Sequence, residues 1–232
     1  MARYTPAYSS FVSRLIEVDD LRETAVARER EDAVSHRNHI SALCRGSIVL
    51  LSAHLEAYIR ELGETALEAI VVKRVDRSRM APRFFYHISK RILAEIKDTS
   101  DHDKIASKVF EFLKTESDFW EGTGAFAVSL PSVSFSKGFS NPAYDKICSY
   151  LNRFGCETYS SDLASKLQAK YQPVTNMVNH LVDVRNKIAH GDPTASKTPS
   201  ELEDMISIIK LFCGATDSVF GSWCKANLCA IR

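Results

Sequence analysis

Apolar residues recur every three or four positions along most of this chain, with polar or charged residues between them. This spacing is typical of helices that bury one face. It predicts a first helix over residues 7–31 and a longer one from about His36 to Val72. The buried face of the first helix is predicted to carry Phe11, Leu15, Val18, Leu21 and Val26. Further helices are predicted at 84–97, 102–115, 143–152 and 160–169.

The last third of the chain carries the clearest helix signals. An apolar stripe follows Pro173 and ends near Gly191, a residue type that commonly terminates helices. The stretch Thr198-Pro199-Ser200-Glu201 has the form of a capping box with proline at the first helical position. A final helix is therefore predicted from this point to about Phe212 or beyond.

Residues 121–142, EGTGAFAVSLPSVSFSKGFSNP, differ from the rest of the chain because glycine, serine and proline dominate them. Such composition with short apolar alternation indicates an irregular loop or a small hairpin. The length of 232 residues suits a single domain with an insertion, and no internal repeat is visible. The prediction is one all-α helical bundle over residues 1–232 with one irregular insertion.

Composition narrows the class of protein further. Apolar residues make up 45% and charged residues 25%, which is ordinary for a soluble globular protein. The net charge of +1 is too small to attract nucleic acid to the protein as a whole, so nucleic-acid binding would need a local basic patch. The beginning of the chain has no signal-like apolar run, no stretch approaches a membrane span, and the six cysteines form no C-x-x-C pair. These features predict a cytoplasmic protein with reduced thiols and no membrane contact.

The stretch DVRNKIAH places Arg185, Asn186 and His190 at the end of an apolar helix. On an ideal helix, side chains five positions apart point roughly 140° away from each other. One helix would not bring Arg185 and His190 together unless its end unwinds. Two copies of the helix at a symmetric interface could, since each residue would then face its counterpart. Taken singly, an arginine or a histidine here is more often a surface or capping residue.

The segment RNKIAHG matches the arginine, polar residue and histidine signature of the HEPN superfamily of all-α ribonucleases. The upstream segment RGSIVLLSAHLEAYIRELGETAL resembles the acidic helix of the RiboL-PSP-HEPN branch. The resemblance covers residues 7–72 and 160–225. It implies a HEPN-type helical bundle, a homodimer whose two motifs line one cleft, and metal-independent cleavage of RNA with no cofactor.

The residue types in the motif suit this chemistry. RNA carries its own nucleophile, the 2′-hydroxyl, so an enzyme must move a proton and stabilise charge on the phosphate. His190 is the predicted proton carrier, because imidazole can exchange a proton near neutral pH. Arg185 can hold two non-bridging oxygens with its fork, and Asn186 can orient the phosphate or the histidine. The expected products are a 2′,3′-cyclic phosphate and a 5′-hydroxyl.

Glu56 is the predicted supporting residue. A carboxylate on the apolar helix needs a partner, and the hypothesis is that it pairs with Arg185. The alternative is an exposed pair with Arg60, four residues later. Some HEPN toxins carry a tyrosine two residues after the histidine, which a nucleotidyltransferase modifies. Asp192 stands at that position here, so this route of regulation is not expected.

Residues 73–91 hold seven basic residues against one aspartate, with aromatic residues between them. The hypothesis is therefore that Arg77, Arg79 and Arg83 contribute to RNA binding through contacts with phosphates. The alternative is a solvated turn followed by a helix that buries its aromatic residues. His36 and His39 could coordinate a metal ion, but no further ligands follow at a recognisable spacing, so no metal site is predicted.

The resulting prediction is an endoribonuclease that acts on RNA as a homodimer. By the resemblance alone, it is the toxin or effector of a bacterial toxin–antitoxin or phage-defence system, with an antitoxin or defence-system partner. The alternative prediction is a HEPN-like dimerisation or RNA-binding module that does not cut.

Overall fold

A computed structural model describes residues 4–126 and 129–232 of the chain. Within these ranges the protein is built of α-helices. They are α1 Pro6–Asp32, α2 Arg37–Val72, α3 Pro82–Lys97, α4 His102–Glu121, α5 Ser132–Ser136, α6 Tyr144–Leu151, α7 Tyr159–Leu167, α8 Tyr171–Ala189 and α9 Pro199–Asn227. The predicted all-α fold is thus confirmed.

The core of the bundle is formed by α1, α2, α8 and α9, which pack against one another. Helix α2 lies at its centre and buries fourteen residues along its length, among them Leu51, Leu55 and Ile59. In α1, Phe11, Leu15 and Val18 are buried as predicted. Leu21 and Val26 are only half-buried, and Ala25 takes the buried position between them.

Several helices are longer than their apolar pattern indicated. Helix α9 continues to Asn227 because its second half still buries one face. This face includes small and polar residues that dilute the apolar pattern. They are Ala215, Thr216, Asp217 and Gly221. The predicted capping box is present, since the Thr198 hydroxyl accepts from the Glu201 amide and the Glu201 carboxylate accepts from the Thr198 amide.

The insertion at 121–142 contains a short helix, α5, and not a hairpin in its described part. Ala127 and Val128, which belong to the same predicted segment, lie outside the described residues. The insertion is packed onto the bundle through its aromatic residues. The Phe135 ring lies 4.6 Å from that of Phe154, and the Phe139 ring lies 4.7 Å from that of Tyr150.

Helices α2 and α9 are long and apolar enough to pass a length-and-composition test for membrane spans, with a mean hydropathy of 1.2 over 18 residues. Both are core helices of the bundle, and such helices pass the same test.

Candidate active site

The predicted motif lies at the carboxyl end of α8. The helix remains regular through Ala189, and the backbone amide of His190 donates to the Asn186 carbonyl at 2.9 Å. Gly191 then adopts a φ of 79°, a left-handed conformation that glycine adopts without strain, and the helix ends there. Because the helix does not unwind, Arg185 and His190 leave it in directions roughly 140° apart.

Arg185 is half-buried and held by two side-chain amides. Its Nη1 donates to Asn141 Oδ1 at 2.8 Å and to Asn186 Oδ1 at 3.2 Å. The neighbouring Val184 is buried and anchors this turn of α8 in the core. Both hydrogen-bond acceptors are neutral, and within residues 4–126 and 129–232 no carboxylate forms a salt bridge with this guanidinium. His190 is exposed.

The expected pair between Glu56 and Arg185 is not formed, and this part of the prediction is corrected. Glu56 Oε1 instead lies 2.8 Å from Arg60 Nη2, which is the alternative pair on the same helix. Its other oxygen, Oε2, accepts from the backbone amide of Asn141 at 3.1 Å. The physical reason is that Asn141 stands between the two residues. Its backbone contacts Glu56 while its side chain contacts Arg185.

Asn141 is the site residue that the sequence did not reveal. It belongs to the irregular insertion and has a φ of 52°, which asparagine tolerates better than most residues. The only signal was the pair Asn141-Pro142, a combination that marks turns. A turn signal does not indicate contact with a residue 44 positions away.

The loop after His190 is attached to α2. Arg45 Nη1 donates to the Asp192 carbonyl at 2.8 Å. The carboxylate of Asp192 accepts from the hydroxyl and the amide of Thr194, and these hydrogen bonds lower its pKa. Asp192, which replaces the tyrosine of some HEPN toxins, therefore has a local role in shaping this loop.

The three candidate RNA-binding arginines all have intramolecular partners. Arg77 donates to the Asp118 carbonyl at 2.6 Å and lies over the Phe126 ring, and Arg79 donates to the Leu228 carbonyl at 2.9 Å. Arg83 pairs with Glu157. The aromatic residues beside them are largely core residues, as the alternative interpretation proposed. Phe84 and Phe85 are buried, and Tyr86 is exposed.

Across residues 4–126 and 129–232, no three His, Cys, Asp or Glu side chains are grouped as metal ligands. His36 precedes the first residue of α2, and His39 lies in its first turn. The six cysteines are free, with Cys148 and Cys229 half-buried and the others buried.

The chain is thus an all-α bundle with an arginine and a histidine at the end of a core helix. The family model for RiboL-PSP-HEPN matches residues 11–222, and the chain therefore belongs to this family. HEPN domains are typically ribonucleases or nucleotide-binding modules. Comparison with curated proteins and with solved structures gives no match.

Proposed function

We propose that this protein is a metal-independent endoribonuclease whose catalytic residues are Arg185, Asn186 and His190. The observation that carries the proposal is the arrangement at the end of α8. The half-buried Arg185 is held by neutral acceptors, and the exposed His190 follows where the helix ends. Cleavage by the 2′-hydroxyl requires a group that stabilises negative charge and a group that moves a proton. The guanidinium of Arg185 and the imidazole of His190 are groups of these two kinds.

In this reaction the 2′-oxygen attacks the adjacent phosphorus, and the bond from phosphorus to the 5′-oxygen breaks. One imidazole accepts the 2′-hydroxyl proton, and the leaving 5′-oxygen receives a proton in turn. Arg185 stabilises the charge that develops on the non-bridging oxygens. Asn186 holds the guanidinium from the same helix turn.

A homodimer supports this chemistry better than a single chain does. Arg185 and His190 diverge on α8, so two facing motifs would together supply two imidazoles and two guanidiniums around one phosphate. We propose that the active site is composite, with His190 of one copy acting as base and that of the second copy as acid.

We further propose a cytoplasmic toxin or effector of a toxin–antitoxin or phage-defence system, regulated by an antitoxin or defence-system partner. The support for this role is the resemblance to HEPN toxins. Induction in a bacterial host tests it, because the wild type should arrest growth and His190→Ala should not. Equal growth of both strains would contradict the toxin role.

The test of the activity is incubation of purified protein with mixed RNA in excess EDTA. The wild type should leave 2′,3′-cyclic phosphate and 5′-hydroxyl ends, whereas Arg185→Ala and His190→Ala should lose cleavage. His180→Ala is the matched control, because it removes an exposed histidine of α8 that lies outside the motif. Cleavage that persists in the first two variants would refute the assignment. RNA bound but left intact by a dimeric wild type would instead favour a non-catalytic RNA-binding module.

A further inference from the structure

We propose that Asn141 is a positioning residue that fixes the guanidinium of Arg185 for RNA cleavage. The inference rests on the proposed function and assigns a role to the irregular insertion. Asn141 does not belong to the motif on α8. It reaches Arg185 because the end of the insertion, the arm Phe135–Asn141, is attached to the bundle at successive points.

The arm is held mainly through its backbone carbonyls. The buried Arg153 donates to the carbonyl of Phe135 and, at 3.4 Å, to that of Lys137. Arg60 Nη2 donates to the Phe139 carbonyl at 2.6 Å. Hydrogen bonds to charged donors are among the stronger ones in proteins. The path of the arm is therefore set independently of Arg185.

Side chains attach the arm as well. The hydroxyls of Ser136 and Tyr150 lie 3.0 Å apart in the core, and the Phe139 ring packs on the Tyr150 ring. Immediately after Ser140, the amide of Asn141 donates to Glu56 Oε2. Glu56 thus secures the last residue of the arm, and Asn141 links it to Arg185.

Asparagine meets two requirements at this position. Its backbone adopts a φ of 52°, where most side chains are strained and asparagine, aspartate and glycine are favoured. Its Oδ1 accepts from Arg185 Nη1 at 2.8 Å without carrying charge. A neutral acceptor restrains the rotation of the fork and leaves its positive charge for the phosphate.

Asn141 and Asn186 differ in how they restrain Arg185. A guanidinium has five N–H donors in one plane, and Asn141 and Asn186 both engage Nη1. Asn186 is adjacent in sequence and moves with the same helix, so it does not fix Arg185 relative to the rest of the bundle. Asn141 belongs to a different segment, so its hydrogen bond does fix Arg185 relative to the rest of the bundle. Misplacement of a catalytic group by about 1 Å can cost roughly a hundredfold in rate.

Three variants separate the acceptor from the backbone conformation. Asn141→Gly keeps the left-handed backbone accessible and removes Oδ1. Asn141→Asp keeps both the backbone preference and an acceptor oxygen. Gln168→Gly is the matched control, because Gln168 is an exposed amide residue with a φ of 51°. It tests whether a glycine at another exposed position of positive φ, in the 3-10 turn between α7 and α8, is harmful in itself.

The first readout is cleavage of an RNA oligonucleotide by the full-length variants. Asn141→Gly should lower kcat by about tenfold to a hundredfold with a smaller change in KM, because the transition state loses a preoriented donor. Asn141→Asp should lower kcat less than Asn141→Gly does and should raise KM, because it still orients the guanidinium while its added charge opposes the phosphate. Gln168→Gly should behave as the wild type.

The second readout does not depend on activity. Nitrogen-edited NMR of the arginine guanidiniums, with Arg185 assigned by Arg185→Lys, reports whether rotation of its Nη groups is restrained. The Arg185 signals should be separate in the wild type and averaged in Asn141→Gly. If the wild type does not cleave RNA, the proposed function fails, while these signals still decide whether Asn141 holds Arg185. Unchanged signals in Asn141→Gly would overturn the inference, whatever its kcat.

Discussion

Gly63 of α2 lies directly against the phenol ring of Tyr150 from α6. A Cβ atom at position 63 would lie 2.9 Å from both Cε1 and Cζ of that ring and closer still to its hydroxyl. Tyr150 is fully buried, and its hydroxyl is hydrogen-bonded to Ser136 on the insertion. The absence of a side chain at Gly63 is what allows α6 and the insertion to approach α2.

Gly63→Ala should therefore destabilise the protein by about 1–3 kcal/mol, the usual cost of forcing extra atoms into a packed core. Gly46→Ala, in the same helix, is the matched control. The nearest atom to its new Cβ would be Leu21 Cδ1, at an ordinary contact distance of 3.8 Å. That change should stabilise the protein by about 0.5–1 kcal/mol, as alanine normally does in a helix. Urea unfolding measures the change in the free energy of unfolding for each variant, which should be opposite in sign. Equal changes in both variants would contradict the packing argument.

Two substitutions at Glu56 should differ in their effect on cleavage. Glu56→Gln retains an oxygen that can accept from the Asn141 amide, so kcat should stay within about threefold of the wild type. Glu56→Ala leaves that amide without its acceptor and removes the ion pair of Arg60, so kcat should fall by about tenfold or more. Steady-state cleavage of one RNA substrate compares them. Equal losses in both variants would show that the charge of Glu56, and not its hydrogen bond, is required.

Arg77 and Arg83 are expected to act differently on RNA binding. Arg83 pairs with Glu157, whose side chain is 66% exposed, and such surface pairs are weak enough to exchange for a phosphate. Arg83→Glu should reduce the slope of log affinity against log salt by about 0.7, the value for one single-strand phosphate contact. Arg77→Gln should leave this slope unchanged and lower stability, since Arg77 packs on Phe126. Fluorescence anisotropy at several salt concentrations measures the slopes, and identical slopes for wild type and Arg83→Glu would remove Arg83 from the RNA contacts.

His87 should make the fold sensitive to acid. Burial, followed by the nearby charge of Arg153, lowers the pKa of His87 from 6.5 to about 4. The unfolded chain binds a proton at this residue below about pH 6.5, but the folded protein does so only near pH 4. Stability is therefore lost as the pH falls from 6.5 towards 4, by roughly 2 kcal/mol after allowance for partial exposure.

His87→Phe keeps an aromatic ring beside Phe135 and cannot be protonated. Thermal unfolding at pH 7 and pH 4.5 should show a smaller loss of stability in this variant than in the wild type. Equal losses in the two proteins would mean that other groups dominate the acid sensitivity.

The local pattern of the chain predicted most of the fold. Apolar residues at helical spacing located the long helices, and Thr198 with Glu201 marked the start of α9 because a capping box is a contact between near neighbours. The helix ends were less predictable. Helix α4 continues to Glu121, six residues beyond its predicted end, and it buries none of its residues fully, so its apolar pattern was a weak guide.

The sequence by itself determined the helices, the placement of Arg185, Asn186 and His190 at the end of one of them, and the resemblance to HEPN ribonucleases. Only the tertiary structure decided which groups surround Arg185. Asn141, in an insertion without periodicity, reaches it from 44 positions away. The backbone of Asn141 is in turn held by Glu56, which lies 85 positions before it. Helical spacing and capping are contacts within a few residues, and they are visible in a linear sequence. The partners of a guanidinium depend on how distant segments pack, which no local pattern encodes.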